Sequence, residues 1–147
     1  MDPLVMLDRK DITFGKTLQV YLGNVPFLVI GEDIRRHHEM LRKFLQDNGV
    51  PFVEEPLHGP NFGPQAIGDR YKLVGAGYAS LYQGLIQLWG QSDGYRISSD
   101  EKHAREISDL LKDRRVEIQK SEPVVSETES SSETKRSTQK LGDEIPF

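Results

Sequence analysis

Four cations, Arg35, Arg36, Arg42 and Lys43, are spaced so that a helix at 100° per residue would gather them within about a third of its circumference, with Glu39 among them. Clustered guanidinium and ammonium groups bind phosphates by displacing counterions, and aromatic rings offer faces on which bases stack. Arg70 and Lys72 alternate with Tyr71 and Leu73, so on a strand the two cations leave from one face. Tyr78, Tyr82, Trp89 and Tyr95, the last followed by Arg96, supply stacking surfaces. Together these residues make a candidate groove for single-stranded nucleic acid. The competing reading is a solvated helix face with its aromatics in the core.

Two other constellations have chemical potential. Val74, Gly75, Ala76, Gly77, Tyr78, Ala79 and Ser80 run from a strand into two glycines, a setting in which backbone N–H groups cradle phosphate. Ser80 stands where a dinucleotide fingerprint needs a third Gly or Ala, and no Lys-Ser/Thr pair follows as in a P-loop. Among the histidines, His37 falls between Ile34 and Leu41 on the apolar side of its helix, His38 lies at the edge of that side, and His103 borders a later helical stripe. His58, near Glu54 and Glu55 in a Gly/Pro-rich stretch, is the best placed for proton transfer, but the spacing matches no metal motif. No catalytic residue, metal or cofactor is expected. A small phosphate-handling enzyme using His58 or His38 is the alternative from that class.

The elements that must position these groups are read from periodicity. Residues 17–22 and 25–30 read as strands joined by Gly23-Asn24, a two-residue hairpin signal. Asp33 offers an N-cap to a helix reaching about Asn48 and stopped by Gly49. Val50 to Val53 is a short extended segment, and 54–69 reads as a long loop, marked by Pro56, Gly59, Pro60, Gly63, Pro64 and Gly68. A strand at 70–74 follows. Tyr78, Leu81, Tyr82, Leu85 and Trp89 favour a helix over 78–89, with two short strands about Gln83-Gly84 as the alternative. After a strand at 95–97, Ser98 to Glu101 has the capping-box form that opens a last helix to about Gln119. The fold class expected is α+β, or α/β, with a small sheet packed by two or three helices. Two helices in so much of the body argue against a five-stranded OB barrel.

From about Ser121 to Lys140 the chain is rich in Ser, Thr, Glu and Lys and almost free of apolar residues, so it cannot bury enough surface to offset its ordering entropy. A folded domain at 1–118 and a disordered acidic tail at 119–147 are therefore expected. The tail closes with Gly142, Asp143, Glu144, Ile145, Pro146 and Phe147. This tip resembles that of bacterial single-stranded DNA-binding proteins, in which a disordered linker ends in acidic residues followed by Ile-Pro-Phe. The resemblance implies that Asp143, Glu144, Ile145, Pro146 and Phe147 dock on replication and repair enzymes. It covers only the tip and the character of the linker.

Composition narrows the setting. The net charge of −4 lies mostly toward the end: residues 1–115 carry 15 Lys and Arg against 16 Asp and Glu, and residues 116–147 carry 4 against 7. A near-neutral body binds nucleic acid only through a local patch. The absence of cysteine excludes disulfides and thiolate chemistry. No apolar run is long enough to span a bilayer, so no membrane partner is expected and the setting read is cytoplasmic, in a cell or as a viral protein in its host. The leading expectation is a single-stranded DNA-binding protein of replication or repair that recruits enzymes through its tip. An adaptor without DNA affinity is the third reading, and self-association through the last helix is compatible with all three.

Overall fold

Alternation with period two governs far more of this chain than its helical stripes do. The computed structural model describes residues 2–119. In order they form β1 (Leu4–Met6), β2 (Phe14–Leu22), β3 (Val25–Gly31), α1 (His37–Asp47), β4 (Phe52–Pro56), β5 (Phe62–Ala66), β6 (Tyr71–Tyr82), β7 (Leu85–Trp89), β8 (Gln91–Ser92), β9 (Ile97–Ser98), α2 (Glu101–Leu110) and β10 (Arg115–Ile118). Six strands make one mixed sheet in the order β1-β3-β2-β6-β7-β10, while β4–β5 and β8–β9 are separate ribbons. The four central strands are antiparallel, and the short outer strands run parallel to their neighbours, β1 to β3 and β10 to β7.

The expected α+β or α/β arrangement, a small sheet under two or three helices, is thereby corrected: the described residues are mostly strand, with only two helices. The largest error is at 78–89, which is the β6–β7 hairpin and not a helix. Gln83 and Gly84 both take positive φ, 46° and 81°, as a two-residue hairpin turn demands. The apolar residues that mimic a helical stripe are drawn from both faces of this hairpin: Leu81 packs with Ala79, Ile86 and Leu88 on one face, while Tyr78, Tyr82, Leu85 and Trp89 belong to the other. The stretch read as a long loop contains β4 and β5, whose prolines are tolerated because a two-stranded ribbon has only edges. The last helix stops at Leu110, and Arg115–Ile118 turns back as β10, because Val116 faces the core at alternating spacing and its N–H is held by Ser108 Oγ at 3.1 Å. Helix α1 begins later than expected, with Arg36 and not Asp33 at the N-cap. Among the described residues no helix is long and apolar enough to cross a membrane.

Each face of the sheet carries its own core. Val29, Phe27, Leu18, Val20 and Ala76 pack against Met40, Leu41, Phe44 and Leu45 of α1. Leu28, Ile30, Ala79, Ile86, Leu88 and Val116 pack on the other face with Ala104 and Ile107 of α2. Burial of each such side chain contributes about 1.5–3 kcal/mol, so both helices are held mainly by these stripes.

A polar latch fixes α2 to the middle of β2. The fully buried Gln19 donates from Nε2 to the Asp100 carbonyl at 2.8 Å and accepts the Asp100 N–H on Oε1 at 2.7 Å. His103 Nε2 donates to the Val20 carbonyl at 3.1 Å, which leaves Nδ1 as the acceptor facing Gln19 Nε2 at 3.3 Å. Asp100 caps α2 through the His103 N–H at 2.8 Å. The amide fits only because residue 75 is glycine: a Cβ there would stand 2.2 Å from Gln19 Oε1 and 2.9 Å from the Asp100 nitrogen. Gly75→Ala is expected to lower stability by about 1–3 kcal/mol, measured by urea unfolding.

Burial holds the His103 imidazole below its ordinary pKa of 6.5, so it stays neutral where the unfolded chain would protonate it. The unfolded state then binds more protons, and stability present above pH 6.5 is lost as pH falls toward the depressed folded value. His37 is shifted the same way by burial. Thermal unfolding followed from pH 7.5 to 5 is expected to show this loss, and His103→Gln, which keeps a polar side chain without the titration, is expected to show a smaller one.

Candidate nucleic-acid interface

Directly opposed residues of a sheet share a face, and the ladders show one half-face left bare. Tyr78 stands opposite Trp89 and Lys16, Ser80 opposite Gln87 and Phe14, and Tyr82 opposite Leu85. The intervening residues Ala79, Ile86 and Leu88 point into the α2 core. Helix α1 covers the first half of the outer face and reaches Tyr78 with its first residue, His37, while toward the other end of that face Phe14 is 44% and Tyr82 73% exposed.

Three rings of this half-face form a ladder. Tyr78 and Trp89 stack with centroids 4.9 Å apart and planes 23° from parallel, Phe14 lies 6.3 Å from Tyr78 at 10°, and Phe14 lies 5.9 Å from Trp89. The His37 edge meets the Tyr78 ring, and its Nε2 donates to the Gly77 carbonyl at 2.9 Å. Beside the ladder, a shallow polar hollow of about 200 Å³ is lined by Lys16, Arg36, His38, Asn61, Gln91 and Asp93, among others. Rings that are half-buried and mutually braced lose little entropy when a base stacks on them.

Three of the four cations of the expected face hold carboxylates. Arg35 is engaged by Asp8 through two bonds of 2.6 and 2.8 Å, Arg42 by Glu54 through bonds of 2.7 and 2.8 Å, and Lys43 by Asp47 at 3.3 Å. Arg36 is the exception: its Nη1 donates to the neutral Asn61 Oδ1 at 3.1 Å, at the edge of the polar hollow. Arg70 lies exposed in the turn before β6, and Lys72, opposite Tyr21, sits on the first half of that strand, remote in register from Tyr78. Tyr95 is half-buried with its hydroxyl 3.4 Å from the Pro64 carbonyl, and Arg96 follows it at φ 59°. Of the residues expected to share a groove, the structure joins Tyr78 and Trp89, with Tyr82 further along the same face and Arg36 at its margin.

Phe14 and Lys16 were missed because β2 was read as starting at residue 17, although Phe14-Gly15-Lys16 continues its alternation. Gly75 and Gly77 lie inside β6, so the proposed phosphate cradle is an extended strand of the sheet and not a loop that opens a helix. His58 is exposed, and among the described residues no group of three or more His, Asp or Glu is placed to hold a metal ion. The tip residues Asp143 to Phe147 lie outside the described residues.

Because Arg42 is spent on Glu54 and both side chains are partly solvated, Arg42→Ala is expected to cost less than about 1 kcal/mol in urea unfolding. It is also expected to change affinity for an oligonucleotide less than about twofold, measured by fluorescence anisotropy.

No protein-family model matches this chain, and no curated protein shows significant sequence similarity to it.

Proposed function

We propose that the protein binds single-stranded nucleic acid on the bare half-face of its sheet, with bases stacked on Phe14, Trp89 and Tyr82 and the backbone steered by Lys16 and Arg36. The observation that carries this reading is the ladder of Phe14, Tyr78 and Trp89 on a sheet face where Phe14 and Tyr82 stand exposed. A monomeric domain that only needed a core would gain by turning such rings inward. The resemblance of the tip to single-stranded DNA-binding proteins favours DNA as the strand and assigns enzyme recruitment in replication or repair to Asp143, Glu144, Ile145, Pro146 and Phe147. The adaptor reading loses weight because the cations it would present to an acidic partner, Arg35, Arg42 and Lys43, already hold carboxylates.

Trp89 is the sole tryptophan, so its fluorescence reports on the ladder directly. Titration with oligo(dT) is expected to quench it, for the full chain and for a version ending at Ser121. Phe14→Ala is expected to weaken binding by about 5–100-fold, the equivalent of one lost stacking partner at ~1–3 kcal/mol. With two free cations at the site, the slope of log affinity against log salt is expected near −1.4, about 0.7 per phosphate contact. Unquenched Trp89 at saturating oligonucleotide, or a Phe14→Ala variant that binds as tightly as the parent, would overturn the proposal.

A further inference from the structure

A second concavity lies across Tyr95 from the polar hollow. It is an open cleft of about 680 Å³, within the range of small-molecule sites, and it shares Leu57, Gly94 and Tyr95 with the hollow beside the ladder. Its walls are apolar and ring-shaped where Leu57, Pro64, Tyr71 and Tyr95 meet, and its polar groups include Gln65 and Arg96. Tyr71 is 5% exposed as a residue, but its hydroxyl, which no described residue pairs, is not among the buried unpaired atoms and so opens on the solvent of the cleft. A hydroxyl without a protein partner at the wall of a cleft is free to donate to a ligand held there. Burial also pushes its pKa up to about 12, so it remains a protonated donor at any physiological pH.

Arg96 marks the same cleft a second time. It takes φ 59°, the left-handed region that costs a side chain other than Gly, Asn or Asp, and it is exposed. The strained turn places a guanidinium at the cleft, where glycine would fold more easily. A ligand that satisfies these features has a flat ring for the apolar walls, a hydrogen-bonding edge for Tyr71 and Gln65, and an anionic group for Arg96. We propose that this cleft binds a nucleotide, base inward and phosphate toward Arg96, either as a free nucleoside monophosphate or as a residue of the strand held on the ladder. The second source rests on the function proposed above; the first does not.

The test uses the full chain and two variants that should fold. Tyr71→Phe removes only the unpartnered hydroxyl, and Arg96→Gly removes the guanidinium while relieving the positive φ. Thymidine monophosphate, with inorganic phosphate as the control, is titrated calorimetrically, and oligo(dT) is followed through Trp89. Saturable binding of the monophosphate, weakened about tenfold in each variant while Arg96→Gly holds or raises the melting temperature, identifies a free nucleotide site. No monophosphate binding, but an oligonucleotide affinity that falls in both variants with Trp89 still quenched, places the cleft on the path of the strand. If neither variant changes either titration, or if inorganic phosphate alone binds as well as the monophosphate, the nucleotide site is overturned. Loss of Trp89 quenching with intact monophosphate binding would instead count against the ladder alone.

Discussion

The antiparallel contact between β2 and β6 is the constraint on which the rest of the molecule depends. It is the longest pairing in the sheet, from Phe14 opposite Ser80 to Leu22 opposite Tyr71, interrupted by an irregularity between Gln19 and Val20. At that point Gln19 reaches off the sheet to hold the backbone of Asp100, and Gly75 leaves the room for it to do so. A buried amide with both ends bonded to the backbone of one residue sets a position more narrowly than an apolar contact, since a small displacement leaves a donor or an acceptor unpaired. The start of α2 is thereby fixed, and with it the register in which Ala104 and Ile107 meet Ile86, Leu88 and Val116.

The division of the sheet's surface follows from this arrangement. With α2 docked on one face, the inward residues of β6 and β7 are small or aliphatic, and the aromatic residues of the same strands are turned to the opposite face. Helix α1 is short, with only Met40, Leu41, Phe44 and Leu45 fully buried, and those side chains are used up over β2, β3 and the start of β6. The far half of that face is left to the rings of Phe14, Tyr78 and Trp89. Their exposure therefore has a structural cause in the reach of α1, and their mutual stacking removes part of the cost of leaving them wet.

How much of this was legible in the sequence depended on whether a segment carried one signal or two. The hairpin at Gly23-Asn24 and the stop of α1 at Gly49 were plain, because turn chemistry and periodicity agreed. At 78–89 they conflicted: Tyr78, Leu81, Tyr82, Leu85 and Trp89 satisfy a helical spacing, while Gly77, Gly84 and Gly90 disfavour a helix by about 1 kcal/mol each and Gln83-Gly84 marks a turn. The glycines were the better guide. The aromatic members Tyr78, Tyr82 and Trp89 remain stacking candidates and share one face of the hairpin, since ring type survives an error in backbone assignment. The ion pairing of the cationic face was not legible: whether Arg35 or Arg42 is free depends on Asp8 and Glu54, which lie 27 and 12 residues away and cannot be paired to them without the fold.

The loss of those cations changes what kind of binding this surface can support. An interface built on many arginines attracts duplex and single strand alike, because both present a line of phosphates. In the binding proposed, a ring ladder with Lys16 and Arg36 beside it would draw its free energy from base faces, and in a duplex those faces are already stacked on one another. Discrimination for a single strand then needs no reading of base edges. It follows from the geometry that the duplex must be unstacked, at a few kcal/mol per step, before Phe14 or Trp89 gains a partner. The near neutrality of residues 1–115 is consistent with such a surface, since strong nonspecific attraction to duplex would require the excess of positive charge that this body lacks.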